Sequence, residues 1–600
     1  MKILYLTILS VFFCQLSLAQ LTVRNDAYIF ATDIEVYVED DVNLTETNST
    51  FYLRDEAQLI QGPGNTGNSG VGKLSVYQEG TVNQYAYNYW ASPVGNVDAN
   101  STGNRAFTPN KNIYDVVDLT NSNLAGYSTT GYNGTSSPLN IEDYWIWTYN
   151  PGTNYSDWDY VGESGTVDAG YGFTMKGTDA GNQQYDFRGK PNEGEILVDI
   201  EPGQETLIGN PYPSALDAAL LIHDPANSGL LETATLYYWE QDQSIASHNL
   251  TAYSGGYASY TITDATLGNF GTFTPATFKT YNADGTINTI SGTPSSSIKE
   301  ARRFIPIGQG FMIKGNPAAP SNSHLLISDS HRVFYRESAA NSEFFRTAQQ
   351  TESTTTNQDD QYTVDGLTIV PADFKRFRLN IDFNETYTRQ LLQNFHNTAT
   401  PNEDYGLESR MYESLNSDAY WPQNTKKLVA QANAYDLNLA IPVVLNLNNQ
   451  QLIRFRIFDV QNFDNNQPIY IHDKVNDTYV NLQSQNFEIN LPAGNYTDRF
   501  EVVFVEANTL STDEFAENNF NVIQNNNTSE LVVLNPKKLD IENIKLYDVS
   551  GKIIFNEIVK NNNERLSYST KNLSDGVYLA QTTLSNNNTT TKKVIVANKK

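Results

Sequence analysis

Cysteine is nearly absent from the 600 residues; the single one, Cys14, lies in an apolar N-terminal run. Everything after residue 19 therefore has neither disulfides nor thiolate metal sites, and its stability must come from packed cores. Val11-Phe12-Phe13 lacks the small residues that precede a lipoprotein cysteine. Basic residues are scarce too: 39 Lys and Arg stand against 68 Asp and Glu, a net charge of −29. That balance argues against a nucleic-acid partner, since a phosphate backbone needs clustered Lys and Arg. Only six histidines occur (His223, His248, His324, His331, His396, His472), with no close pair at metal-ligand spacing. His324 and His331, seven apart on an expected strand and turn, read as ordinary polar positions. H-E-x-x-H, G-x-S-x-G and P-loop patterns are missing. These absences predict no catalytic residues and no cofactor. A carboxylate pair brought together from distant strands stays open, because it would leave no local motif.

The first nineteen residues carry the three-part pattern of a secretory signal peptide. Met1-Lys2 is the basic start, Ile3 to Leu18 the apolar run, and Ser17-Leu18-Ala19 the small-residue cleavage site before Gln20. No later run approaches the ~18 apolar residues of a transmembrane helix, so the chain is expected outside the cell, secreted or on its surface. Tyr and Phe are abundant (37 and 28), and the charged fraction is low at 18%, which predicts an all-β chain. The best helical stretch is Ser214 to His223, with Ser214 as its expected N-cap.

Organisation along the chain supports several β-modules in tandem, solenoid-like or sandwich. Residues 20–78 hold short alternating stubs such as Ile34 to Val38 and Phe51-Tyr52-Leu53, which suit a solenoid-like or capping layer. Residues 79–200 and 201–346 form an internal duplication. Gly170 to Gly177 and Gly308 to Gly315 both fit G-x-G-F-x-x-K-G. Upstream of each lie an aromatic strand (Tyr144 to Tyr149; Leu236 to Trp239) and a corner with proline and serine (Ser92-Pro93; Pro213-Ser214). The glycine motif predicts a tight turn into a strand rather than a phosphate loop. Ser254 to Pro294 reads as an insertion in the second copy. A polar linker or loop follows at 347–365, then a sandwich of about seven strands at 366–508, a linker at 509–529 and a last module at 530–600.

That last module is a small Greek-key sandwich in its own residues, with Gly551 and Gly576 at turns between strands. Its segments "LYDVSGKII", "LSDGVYL" and "TKKVIV" resemble the type A C-terminal sorting domain of Bacteroidetes type IX secretion, an Ig-like module. The matching positions are Tyr547, Asp548, Gly551, Lys552, Gly576, Tyr578, Lys592 and Lys593. Asn535-Pro536 departs from the pattern by running almost directly into Leu539. The resemblance implies delivery across the outer membrane, with the secretion machinery and its sortase as partners. Residues 75–505 are similar to a recurrent kind of flavobacterial surface protein through "NYWASPVG", "LIGNPYPSALD" and "GQGFMIKG", a resemblance that brings no catalytic residues with it.

Two features could bind something. Trp145 and Trp147, two apart on an expected strand, would share one face and could stack on sugar rings, or else form the core of the first copy. Asn402-Glu403-Asp404 with Glu408 could form a calcium loop or a solvated turn, and calcium is the one cofactor left open. The expectation is thus a structural or adhesive surface protein that is not an enzyme, its partners being glycans or neighbouring surface proteins. Polysaccharide capture, or a hydrolase with scattered carboxylates, are the alternatives.

Overall fold

The computed structural model describes residues 20–64, 66–80, 82–292, 300–338, 367–464, 467–506, 521–585 and 589–598. The expected signal peptide and the polar tract at 347–361 lie outside the described residues. Contacts divide the chain into one compact unit ending at Val505 and a second beginning at Glu506. The architecture is all-β. Among the described residues no helix is long and apolar enough to cross a membrane.

The unit ending at Val505 starts as a parallel solenoid. Three faces stack coil on coil: Leu21–Val23 on Val42–Leu44, Tyr28–Thr32 on Thr50–Arg54, and Glu35–Val38 on Gln58–Gln61. The register makes apolar ladders, Ile29↔Phe51↔Leu74 and Ala31↔Leu53↔Val76. Stubs this short bury nothing alone and become stable only by stacking. Strand Lys73–Gly80 pairs in parallel with the coil before it and antiparallel with Gln183–Pro191. One sheet thus runs from the solenoid into the first copy, and Phe51, Leu74, Trp90, Phe173 and Phe187 share a single core.

The two copies repeat the same pairing. Gly172–Lys176 lies antiparallel to Tyr87–Ala91, and Gly310–Lys314 lies antiparallel to Glu205–Gly209. Gly170 and Gly308 take positive φ (91° and 70°), the conformation that the expected turn requires. The copies meet in an exchange-symmetric way. Ala91 N donates to Gly308 O (2.8 Å) and its counterpart Gly209 N donates to Gly170 O (3.1 Å). Bridges Trp90↔Gln309 and Tyr171↔Ile208 follow the same exchange. The contact tolerates no side chain: a Cβ on Gly310 would lie 2.8 Å from Trp90 N, and one on Gly172 2.9 Å from Ile208 O.

Part of the second copy differs from expectation. The helix spans only Ala218–His223, and its cap is Asp217, whose carboxylate accepts from Ala219 N. Ser214 is buried at the corner and accepts from Arg332 Nε, while Ala215–Asp217 is strand. Proline at 213 and three consecutive bridging residues outweigh helix propensity there. The insertion is structured: Ser254–Ile262, Gly271–Thr274, Lys279–Tyr281 and Ile287–Gly292 extend the sheet of Thr235–Gln241.

From Lys375 to Val503 a single sheet of 11 strands wraps around one core. Phe377 and Phe455 from one half meet Val443 and Phe500 from the other. A sandwich of about seven strands was too few. Tyr387–Phe395, for instance, breaks the alternation with Gln393 and Asn394, both fully buried. Asn394 faces the second copy, its Nδ2 donating to Thr272 Oγ1, and on the paired strand Lys375–Phe383 Arg376 Nη2 donates to Gly271 O.

In the unit beginning at Glu506, three strands (Asn521–Asn525, Glu530–Leu534, Arg565–Ser569) and four (Ile541–Asp548, Ile553–Asn561, Gly576–Leu584, Thr589–Val596) enclose one core. Asn521–Asn525 falls inside the stretch expected as linker. Its alternation is short, and it becomes a strand by pairing with Glu530–Leu534. The motif positions cluster at the turns and strands of the four-stranded sheet. Asp548 accepts from Ser550 N and Lys552 N, and Gly551 (φ 84°) closes that hairpin. Tyr578 OH donates to Ser574 O, Tyr547 OH to Gln581 Oε1, and Lys592 and Lys593 lie on the closing strand opposite Ala580 and Leu579.

Candidate functional site, an aromatic cleft

Successive residues of a strand point to opposite faces, and the repeated strands put large side chains on both. Trp90, Phe173, Tyr238 and Phe311 go into the two cores. Tyr89, Tyr237, Trp239 and Met312, one step away, turn to the other face, where Tyr87, Trp147, Tyr149 and Leu207 join them. Together they line or floor a cleft of about 560 Å³. Tyr257 and Tyr281 of the insertion, with Tyr253 just before it, are joined by Tyr412 of the eleven-stranded region. The rings interlock. Tyr149 meets Trp158 with centroids 5.0 Å apart, Trp239 meets Tyr257 at 5.2 Å, and Tyr257 meets Tyr412 at 4.6 Å. Tyr89 and Tyr257 share a 2.7 Å hydroxyl contact. At the rim, Tyr144 and Tyr155 are about half exposed (45% and 55%). Gly285 (φ 82°) at the tip of an insertion hairpin packs on the Tyr155 ring, where a Cβ would lie 2.3 Å from Cγ.

Glu205 and Glu413 both line the cleft. Lys314 lies 3.6 Å from Glu205 and also faces Glu232. Glu413 is bonded to the buried Lys279. Burial raises the pKa of Glu205, against the pull of Tyr412 and Lys314. Burial likewise lowers that of Lys279.

Beside the cleft, Lys176, the lysine of the first glycine motif, sits inside a ring cage. Its Nζ is 3.5 Å from the Trp145 ring centroid, 4.8 Å from Tyr87 and 4.9 Å from Tyr253. It bonds Tyr253 OH and lies 3.1 Å from His248 Nδ1. Burial pushes its pKa down to about 6.

Trp145 and Trp147 do not share a strand face. Asp143–Trp145 is a 3-10 turn, and the strand begins at Trp147. Trp145 is buried over Lys176 and stacks on His248, its Nε1 donating to Tyr132 O. Trp147 lines the cleft beside Tyr144. The residue that shares a strand face with Trp147 is Tyr149, and across the sheet Trp147 pairs with Tyr160. A period-two aromatic pair, Tyr87-x-Tyr89, Trp147-x-Tyr149 and Tyr237-x-Trp239, was the sequence signal that would have found the cleft.

The residues considered for calcium are tied to protein donors. Glu403 pairs with Arg410 and Lys426. Buried Glu408 accepts from Gln423 Nε2, Ala432 N and Asp404 N. Among the described residues no group of three or more His, Cys, Asp or Glu is arranged to hold a metal. His324 and His331 part company, reaching Asp199 and Asp224 (2.8 Å each).

A family model described as a domain of unknown function, DUF8693, matches residues 8–504, and a second such model, DUF8694, matches residues 510–596. The boundary between them falls where contacts divide the chain. No curated protein matches. Among solved structures, a chain described as "Biofilm associated protein - BSP domain" is similar at 9% identity, over 76% of this chain and 88% of that one. The TM-score is 0.11, so the similarity says nothing further about this fold.

Proposed function

For a chain that belongs to the DUF8693 family, we propose a non-catalytic binding role outside the cell, with the aromatic cleft as a saccharide-binding site. The observation that carries it is a cleft of about 560 Å³ walled by tyrosine and tryptophan faces. Sugar rings stack their C–H faces on such surfaces, and tyrosine hydroxyls with Asn154, Thr153 and Ser156 at the rim supply hydrogen bonds for sugar hydroxyls. Binding rather than hydrolysis is favoured because Glu413 is held by Lys279 and Glu205 faces Lys314.

Calorimetric titration of the full chain with a panel of oligosaccharides tests this reading. Trp147→Ala should weaken binding about tenfold or more while the melting temperature stays near that of the parent. Absence of binding to every oligosaccharide would refute the cleft reading. Release of reducing ends during incubation would refute the non-catalytic one.

Export is part of the proposal, and it rests on the N-terminal signal pattern and the resemblance of residues 530–600 to a type IX sorting domain. Removal of residues 506–600 should leave the protein inside the outer membrane. Normal appearance of the truncated chain outside the cell would overturn the sorting role.

A further inference from the structure

We propose that the cleft selects an amino-bearing saccharide, seating its ammonium between Glu205 and Glu413 and its rings on the surrounding tyrosines and tryptophans. This rests on the saccharide reading above and adds the charge of the ligand.

Among the described residues that wall the cleft, Glu205 and Glu413 are the only formally charged ones. No Lys, Arg or His reaches the wall. The basic partners of the two glutamates do not line it: buried Lys279 bonds Glu413, and Lys314 lies between Glu205 and Glu232. Lys279 engages Oε2 of Glu413, and Lys314 stands nearest Oε1 of Glu205. Both glutamates line the cleft, and Glu205 is also hydrogen-bonded by Tyr412. Aromatic faces reinforce the preference, because their negative π-clouds attract a cation held over them. Trp158, Trp239, Tyr257 and Tyr412 supply such faces in the cleft. A uronic acid or a sulfated sugar would meet two carboxylates with no cation to receive it, inside a chain of net charge −29.

The opposite end of the cleft suits the uncharged part of the ligand. There Tyr87 and Tyr253 separate the cavity from Lys176, which spends its Nζ on Tyr253 and His248. Polarity along the cleft thus runs from the carboxylates to a neutral aromatic end. An oligosaccharide with an amino group would bind in one direction.

Glucosamine oligomers and N-acetylglucosamine oligomers of equal length separate charge from shape, since they share one backbone. Titrated into the full chain near neutral pH, where Glu205 with its raised pKa keeps its charge, and at low salt, the glucosamine oligomer should bind about tenfold tighter than its acetylated counterpart. Added salt should weaken the first and spare the second. The Glu205→Gln, Glu413→Gln double variant should bring the ratio toward one. Should that variant fail to fold, the salt dependence of the parent decides. Equal affinity for the two oligomers, or tighter binding of a galacturonic acid oligomer, overturns the amino-sugar inference and leaves the cleft reading standing. Binding of none of the three, or of any other oligosaccharide, overturns both.

Discussion

The two glycine motifs share a backbone and differ in the fate of their final lysine. Gly172–Lys176 and Gly310–Lys314 are strands of equal length with equivalent partners and an exchange-symmetric contact. Lys176 nevertheless ends in a buried cage of rings with no carboxylate, whereas Lys314 ends between Glu205 and Glu232. The neighbours decide. Trp145 and Tyr253 close over Lys176, while Lys314 reaches the carboxylates offered by Glu205–Gly209 and the 232 loop. One scaffold therefore holds two chemistries, and the cleft acquires a charged end and a neutral end from a symmetric frame.

The largest expected effect comes from breaking the frame itself. Gly310→Val and Gly172→Val each drive a side chain into backbone of the other copy, and each should cost about 3 kcal/mol or more, or prevent folding. Thermal melts of the two variants should fall together. A large loss in one and none in the other would show that the contact is not equivalent across the exchange. Trp145→Ala comes next: it removes a buried indole and uncovers Lys176, for about 3 kcal/mol, whereas Trp147→Ala should change binding and hardly touch the melt.

The lysines sharpen the comparison further. Lys176 has its pKa lowered to about 6 by burial, so the folded state resists its charge while the unfolded state accepts it. That burden is present in full below about pH 6 and fades as pH rises toward the usual lysine range near 10.5. Lys176→Met should therefore stabilise, by about 2 kcal/mol near neutral pH, the gain shrinking under alkaline conditions; the ring cage and the bonds to Tyr253 and His248 hold it below what burial alone implies. Lys314→Met should act in the opposite sense and more weakly, by about 1 kcal/mol, because the lysine is partly exposed and its glutamates keep some water. Chemical denaturation of both variants across pH would test the pair of signs.

Much of the fold was legible because it is written in local rhythm. The duplicated G-x-G-F-x-x-K-G strands, the stubs of the solenoid, the turn at Gly551 and the strand that opens at Gly576 all come from short patterns that survive in isolation. Tyr387–Phe395 was not legible, since its buried Gln393 and Asn394 imitate a solvated loop until another layer covers them. Helix propensity at 214–217 misled for a like reason: Ser214 and Asp217 are bonded to Arg332 and Arg303 across the fold. The cleft was half legible. Trp147 was singled out, but with Trp145 rather than Tyr149, since nothing local marks where a 3-10 turn gives way to a strand. Glu205 and the adjacent pair Tyr412-Glu413 come from two distant segments and carry no shared motif.

The strand Lys73–Gly80 has one more consequence. It is the last rung of the parallel stack and also a member of the antiparallel sheet of the first copy, and side chains from both sides fill one core. The N-terminal coils are therefore no detachable cap. Trimming them would strip Phe51 and Leu53 from beneath Trp90 and Phe187, so the coils and the first copy should melt as one cooperative block.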